Sequence, residues 1–368
     1  MSRKPLLIAT LALTLPLAAF AQQGPYKVLR TVKIGGDGGF DYVTADSDGR
    51  KLYVARSGPA GTAHIGVFNL DTLAQVGDLT GVSAHGAMVD TSTGHGFATS
   101  KPVLMFDAKT SAEIKRIDVQ GNPDGYLNDT FNHHFYILSH SAPNITVLDD
   151  KDGTILGTID IGGAPEQAQS DGKGRIYVDI EDKDAIAVID AQKMTMIGKY
   201  DISSKGGGCA GLALDTKNNI LFAACREKNN MIILSATDGH LITDLPTGVG
   251  CDGATFNPAT MEAFSSQGDG TLTVIKENSP TSFAVEQTVT TPVRAKTITL
   301  DSKTGHLFLI TAEYGPVPAP AAPAATPAAP PAGATPPAGG ARPGGPGGFR
   351  GPRAPMVPGS FSILEVGK

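Results

Sequence analysis

The 368-residue chain has no tryptophan, only three cysteines, and fewer Lys and Arg (30) than Asp and Glu (36). A formal charge of −6 leaves no basic face for phosphate backbones, so no nucleic-acid partner is expected. Beyond residue 20 no apolar run is long enough to span a bilayer, and no membrane insertion is expected. Helical periodicity is nowhere sustained over three turns, which excludes the dinucleotide-binding α/β folds despite 45 glycines. The chain also lacks a Cys-x-x-Cys-His haem attachment, a His-Glu-x-x-His zinc motif, a phosphate-binding P-loop and a Gly-x-Ser-x-Gly nucleophile elbow. Composition does not lack a core: 40% of residues are apolar, which excludes disorder of the whole chain.

The first residues read as an address. Arg3 and Lys4 precede an uncharged apolar run at 5–20, and Ala19-Phe20-Ala21 fits the small-x-small pattern before a cleavage point. Residues 1–21 are therefore expected to be a signal peptide, with a mature chain at 22–368 that is periplasmic or extracellular.

What is abundant is repetition. A turn-forming Asp or Asn is followed six or seven residues later by an aromatic inside an apolar run: Asp46 with Tyr53, Asp90 with Phe97, Asp129 with Tyr136, Asp171 with Tyr177, Asp215 with Phe222, Asn257 with Phe264, and Asp301 with Phe308. These seven anchors are spaced 39–44 residues apart, the period of a β-propeller blade. Runs of β-branched and aromatic residues between Gly, Asp and Asn supply four strands per repeat. The seventh repeat ends at its third strand, 360–366, while the orphan segment 26–36 resembles a fourth strand. The fold class expected is all-β, a seven-bladed β-propeller closed by the N-terminal strand completing the last blade, which removes exposed sheet edges.

At Arg50-Lys-Leu-Tyr-Val-Ala55, Gly174-Arg-Ile-Tyr-Val-Asp179, Ile145-Thr-Val-Leu-Asp149 and Ile186-Ala-Val-Ile-Asp190 the chain resembles the YVTN-type (YncE-like) β-propeller repeat family. The resemblance covers roughly Tyr26 to Lys368 apart from one insertion, and the missing Trp separates the chain from Trp-Asp repeat propellers. It implies an extracytoplasmic seven-bladed propeller, in a family whose members mostly lack an assigned activity. The quoted residues are strand and turn residues, so the resemblance speaks to fold more than to chemistry.

The insertion is placed by length. Residues 315–358 form a surplus between the second and third strands of the last repeat and hold 14 of the 26 prolines, the rest being mostly Ala and Gly. Such a composition buries too little to offset ordering, and disorder is expected there.

In a propeller the loops entering the innermost strands share a face with the loops joining second and third strands. The residue five before each anchor is therefore expected at the mouth of the central channel. These positions are Asp41, His85, Asp124, Glu166, Ala210, Asp252 and Lys296, and the next position is Gly86, Gly125, Gly211 or Gly253 in four repeats, read here as room for a ligand near the backbone. Asp41, His85, Asp124, Glu166, Asp252 and Lys296 are the candidate ligand-binding set; no catalytic residue is assigned. Carboxylates suit a divalent cation such as Ca²⁺ or Mg²⁺, and His85 widens the choice to transition metals. A ring of solvated charges at a wet channel mouth is the competing reading.

Cys209 and Cys225 fall opposite each other across the first hairpin of the fifth repeat, whereas Cys209 and Cys251 occupy equivalent places in neighbouring repeats. A Cys209–Cys225 disulfide, a Cys209–Cys251 disulfide and three reduced thiols all remain open, the first being preferred. Two functions compete. One is a non-catalytic binding or scaffold protein of the cell envelope, a monomer, taking a small molecule or an envelope protein at the mouth. The other is a hydrolase or lyase of lactone-like or sugar-acid substrates, metal-assisted in one form.

Overall fold

A computed structural model describes residues 24–58, 61–316 and 354–368. The expected signal peptide at 1–21 lies outside the described residues, as does 317–353 of the expected insertion. Six blades of four antiparallel strands each follow the chain in order at 39–80, 87–117, 123–159, 165–201, 209–246 and 251–290. The seventh blade is discontinuous. It joins β26 (Lys296–Leu300), β27 (Leu307–Thr311) and β28 (Ser362–Gly367) to β1 (Lys27–Lys33) at its outer edge. Among the described residues the only helix is the three-residue turn Glu181–Lys183, and none is long and apolar enough to cross a membrane.

Each anchor shapes one hairpin. The carboxyl or amide oxygen of Asp46, Asp90, Asp129, Asp171, Asp215, Asn257 and Asp301 accepts a backbone N–H from the turn that follows it, at 2.7–3.2 Å. That is the local bond which makes Asp and Asn turn formers. The turn closes through a left-handed residue at Arg50, Gly94, His133, Gly174, Asn219, Met261 and Gly305, with φ between +54° and +107°. A backbone that curls this way reverses the chain within the right-handed twist of the sheet. The partner aromatics, from Tyr53 through Phe308, are all at most 3% exposed.

Apolar side chains of adjoining blades interleave in seven clusters, one for each blade-to-blade interface. The ring is closed by hydrogen bonds between β1 and β28, in register from Lys27↔Gly367 to Lys33↔Ser362 with one bulge at Val28/Arg30. Three contacts lock this strand at its ends. Gln287 accepts from the Tyr26 N–H at 2.9 Å and donates to its carbonyl at 2.7 Å, Tyr26 stacks edge-on to Phe264 at 5.3 Å, and Arg56 donates to the carbonyls of Gly35 (3.1 Å) and Asp37 (3.2 Å).

Cys209 and Cys225 are register partners in the first hairpin of blade five and are joined by a disulfide; Cys251 is free and buried. The ends of the insertion are built into the seventh blade. Tyr314 bridges Met356, the Gly315 N–H donates to the Pro355 carbonyl at 2.9 Å, and the Val357 N–H donates to Glu313 at 2.8 Å. At 315–316 and 354–358 the expectation of disorder thus gives way to a short hairpin extension, whose Tyr314 and Met356 pack on the interface between blades seven and one.

Removing residues 24–34 should lower the thermal unfolding midpoint by more than about 10 °C, because it bares a long strand edge and three locking contacts. Gln287→Ala alone is expected to cost about 1–3 kcal/mol through the unpaired Tyr26 backbone groups. An unchanged melting curve for the deletion refutes closure as a source of stability. In denaturant without reductant, one thiol per chain should react with a thiol reagent; three would show that the disulfide does not form.

Candidate functional site

The first strand of every blade lines the channel: β2 (Gly39–Asp46), β6 (Ala87–Asp90), β10 (Pro123–Asp129), β14 (Pro165–Ser170), β18 (Cys209–Asp215), β22 (Cys251–Asn257) and β26 touch one another in a closed cycle. Their entrances converge. Asp41, Asp124, Glu166, Asp252 and Lys296 lie within the opening residues of their strands, and His85 lies two residues ahead of β6. Ala210 holds the equivalent place in blade five, buried and apolar.

These six residues fall into two runs of polar contacts. In the first, His85 Nδ1 sits 2.6 Å from Asp41 Oδ2 and 3.1 Å from Asp124 Oδ1. The other oxygen of Asp124 is 2.7 Å from His140 Nε2, which also faces Glu166 Oε1 at 3.6 Å. The second run is Glu181, Arg226, Asp252 and Lys296, with Arg226 at 2.6 Å from Glu181 and 3.0 Å from Asp252, and Lys296 at 2.7 Å from Asp252.

His140, Glu181 and Arg226 are absent from the sequence-derived set. Each is the residue four after its repeat's aromatic, namely Tyr136, Tyr177 and Phe222, and each begins a loop between second and third strands. The same counting applied to the second strand would have found them. Two of the glycines after the mouth positions, Gly125 and Gly211, have another cause than ligand access. A Cβ at Gly125 would lie 2.8 Å from the Glu166 carbonyl oxygen, and one at Gly211 would lie 2.7 Å from the Gly253 carbonyl carbon. Their neighbour is the next innermost strand, so these glycines let the strands converge.

One to two residues further along the same strands, side chains tie the ring together. Gln167 Oε1 accepts from the N–H groups of Leu212 at 2.9 Å and Ala254 at 3.0 Å, tying β14 to β18 and β22. Tyr42 and Tyr126 pack edge-to-face at 5.4 Å on the side of blades one to three. Asp124 and Glu166 have side chains only 10% and 12% exposed, whereas His85 and His140 reach solvent.

The two runs differ electrostatically. Arg226 and Lys296 overcome their own burial through the charges beside them, Asp252 foremost, and stay charged. In the first run, burial pushes the Glu166 carboxyl up to about 9, opposed by Arg226 and His140 and reinforced by Glu181 and Asp124. Burial also raises Asp41, although the His85 hydrogen bond opposes it. The Asp41 hydrogen bond raises His85, and the Asp124 hydrogen bond raises His140 to about 9. Asp124 is held below its ordinary value: burial works against ionisation, but the His140 hydrogen bond and the charges of both histidines outweigh it.

One ligand atom from each of Asp41, His85 and Asp124 lies within 4.8 Å of the others, and the same holds for Asp124, His140 and Glu166. Either triad can hold a metal ion, and each His–carboxylate pair can also hold or move a proton. Asp252 and Lys296 belong to neither triad.

No family model and no curated protein matches the sequence. Solved structures do. A chain of the mitotic checkpoint complex aligns with a TM-score of 0.66 at 11% identity, over 84% of this chain and 95% of that one. The WD40 repeats of RRP9 align with a TM-score of 0.65 at 9% identity, over 78% and 91%. Both likenesses are of fold alone. They agree with the seven-bladed ring and leave the YVTN-type resemblance as a separate question.

The protonation of Glu166 has a measurable sign. Its carboxyl ionises near 4.5 when unfolded and near 9 when folded, so its contribution to stability is complete below 4.5 and is lost as pH rises through 9. Glu166→Gln should therefore unfold at a higher temperature than the parent at pH 8 and at the same temperature at pH 4, with chelator present. A variant less stable than the parent at pH 8 would show that partners hold Glu166 ionised.

Proposed function

We propose that this chain is an exported binding protein of the cell envelope, a YVTN-type propeller that takes a positively charged ligand at its channel mouth. One observation carries the reading: the two runs are neutralised by different groups. Asp252 and Glu181 contact fixed Arg and Lys partners, whereas among the described residues the ion-pair partners of Asp41, Asp124 and Glu166 are imidazoles. Buried carboxylates held by imidazoles can exchange those protons for a bound cation, and a ring of charges serving solvation alone has no reason to bury them, because desolvation costs stability. Export is supported by the Arg3–Lys4 start, the apolar run at 5–20 and the Ala19-Phe20-Ala21 site, and the Cys209–Cys225 bond suits an oxidising compartment.

The two His–carboxylate triads also favour a second reading, a hydrolase or lyase of lactone-like or sugar-acid substrates. There His85, oriented by Asp41 at 2.6 Å, would act as the base.

Native mass spectrometry of protein recovered from the envelope fraction tests the first reading. The expected species is the 22–368 chain carrying a stoichiometric mass excess that Asp124→Asn abolishes. Recovery in the cytoplasm with residues 1–21 attached overturns export, and a bare chain mass overturns a resident ligand. Turnover of a lactone panel, lost in His85→Ala, would favour the enzyme.

A further inference from the structure

Asp124 is shared by two sets of ligands, one oxygen to each. Its Oδ1 faces His85 at 3.1 Å on the side of Asp41, and its Oδ2 faces His140 at 2.7 Å on the side of Glu166. A carboxylate placed between two His–carboxylate sets is the usual geometry of a bridge between two metal ions, one per oxygen.

We propose that the channel mouth binds a pair of first-row divalent transition-metal ions, bridged by Asp124, with Asp41 and His85 completing one site and His140 and Glu166 the other. This inference rests on the reading of the mouth as a cation site and names the cation.

Three features support it. The first is reach. Two ligands about 2.0–2.2 Å from one ion lie roughly 3.0–3.5 Å apart. The separations of 3.1 and 3.6 Å fall near this range, and the two shorter contacts open into it by small side-chain rotations. The second is donor chemistry. Imidazole nitrogen alongside carboxylate oxygen suits Zn²⁺, Mn²⁺ or Fe²⁺, whereas Ca²⁺ and Mg²⁺ prefer oxygen throughout.

The third is a buried carboxyl outside both triads. Asp179, on β15 (Arg175–Ile180), is fully buried, and among the described residues neither of its carboxyl oxygens has a hydrogen-bond partner. Strand alternation turns it away from the interface with blade three, where Ile176, Val178 and Ile180 pack. Burial, and then repulsion from Glu166 and Glu181, holds its carboxyl well above the usual carboxylate range, against the opposing charge of Arg226. Arg226 is already bound to Glu181 and Asp252. Three ligand carboxylates leave one unit of positive charge on two divalent ions, and Asp179 supplies the charge that balances it. Without ions it is an orphaned acid in the interior, an arrangement native proteins rarely keep without use.

The test is metal uptake by the purified, tag-free chain after chelator treatment. Isothermal titration and elemental analysis with Zn²⁺ should give two equivalents per chain. His85→Ala and His140→Ala should each retain at most one, and the exposed-turn variant His240→Ala should retain two. A wild-type chain that takes up fewer than two equivalents, or a His85→Ala or His140→Ala chain that still takes up two, overturns the proposal. The bridge has its own readout, independent of whether variants fold. Two equivalents of Mn²⁺ should give the broadened paramagnetic resonance of an exchange-coupled pair, and an uncoupled six-line spectrum of full intensity overturns the bridge. Failure here is distinct from failure of the envelope-binding reading: a bare chain recovered from cells that nevertheless takes up two ions in vitro refutes the latter alone.

Discussion

Closure of the ring by β1 against β28 is the constraint on which the molecule depends. Every other blade is made from contiguous chain and could form its hairpins locally. The seventh joins residues more than 300 positions apart, and only then does each blade have a neighbour on both faces. An open ring would expose the apolar faces of blades one and seven, and the cluster of Val43, Leu52 and Phe68 with Phe308, Ile310 and Phe361 would be split. Arg56 shows how closely the closure is held: its guanidinium lies over the Phe361 ring at 3.6 Å while donating to the backbone just after β1, and burial draws its pKa down to about 10.

Closure also dictates where charge collects. Seven innermost strands converging on one axis bring together residues that are far apart in sequence, so Asp41 and Asp124 meet the same imidazole across 83 positions of chain. Where strands press this tightly, side chains are traded for backbone contact, which is the role of Gly125 and Gly211. The strand entrances are left as the place where long polar side chains fit, beside the strand ties made by Gln167 and the Tyr42–Tyr126 pair.

Much of this was legible in the sequence because it is local. An Asp or Asn that accepts from its own turn, a left-handed residue closing that turn and an aromatic on the next strand all lie within about ten residues, and their recurrence gave the blade number, the strand order and the six mouth positions. What stayed hidden is what depends on neighbours. Counting along first strands names Asp124 and Glu166 but not His140, which lies between them on a second-strand exit. Asp179 looked like one more strand residue in Gly174-Arg-Ile-Tyr-Val-Asp179. Its significance comes from burial without a partner, a property of the packed ring rather than of the local pattern. Gly125 and Gly211 were misread for the same reason: their close neighbour is the backbone of another strand, which no single repeat reveals.

The division of the mouth into a half neutralised by fixed cations and a half neutralised by imidazoles follows from which blades carry the long cations. Blades five and seven supply Arg226 and Lys296, both drawn to Asp252 between them, and Arg226 reaches back only as far as Glu181. Among the described residues, blades one to four bring no Lys or Arg into ion-pair contact with Asp41, Asp124 or Glu166, and the two histidines that face them can each yield a proton as the fixed cations cannot. A site whose positive charge is removable is one that can exchange protons for another cation, whereas Asp252, clamped between a guanidinium and an ammonium, has no capacity left to offer. The same ring of innermost strands carries both halves, so the difference between them is chemical, and in the proposed cation-binding role it points to the arc from Asp41 to Glu166.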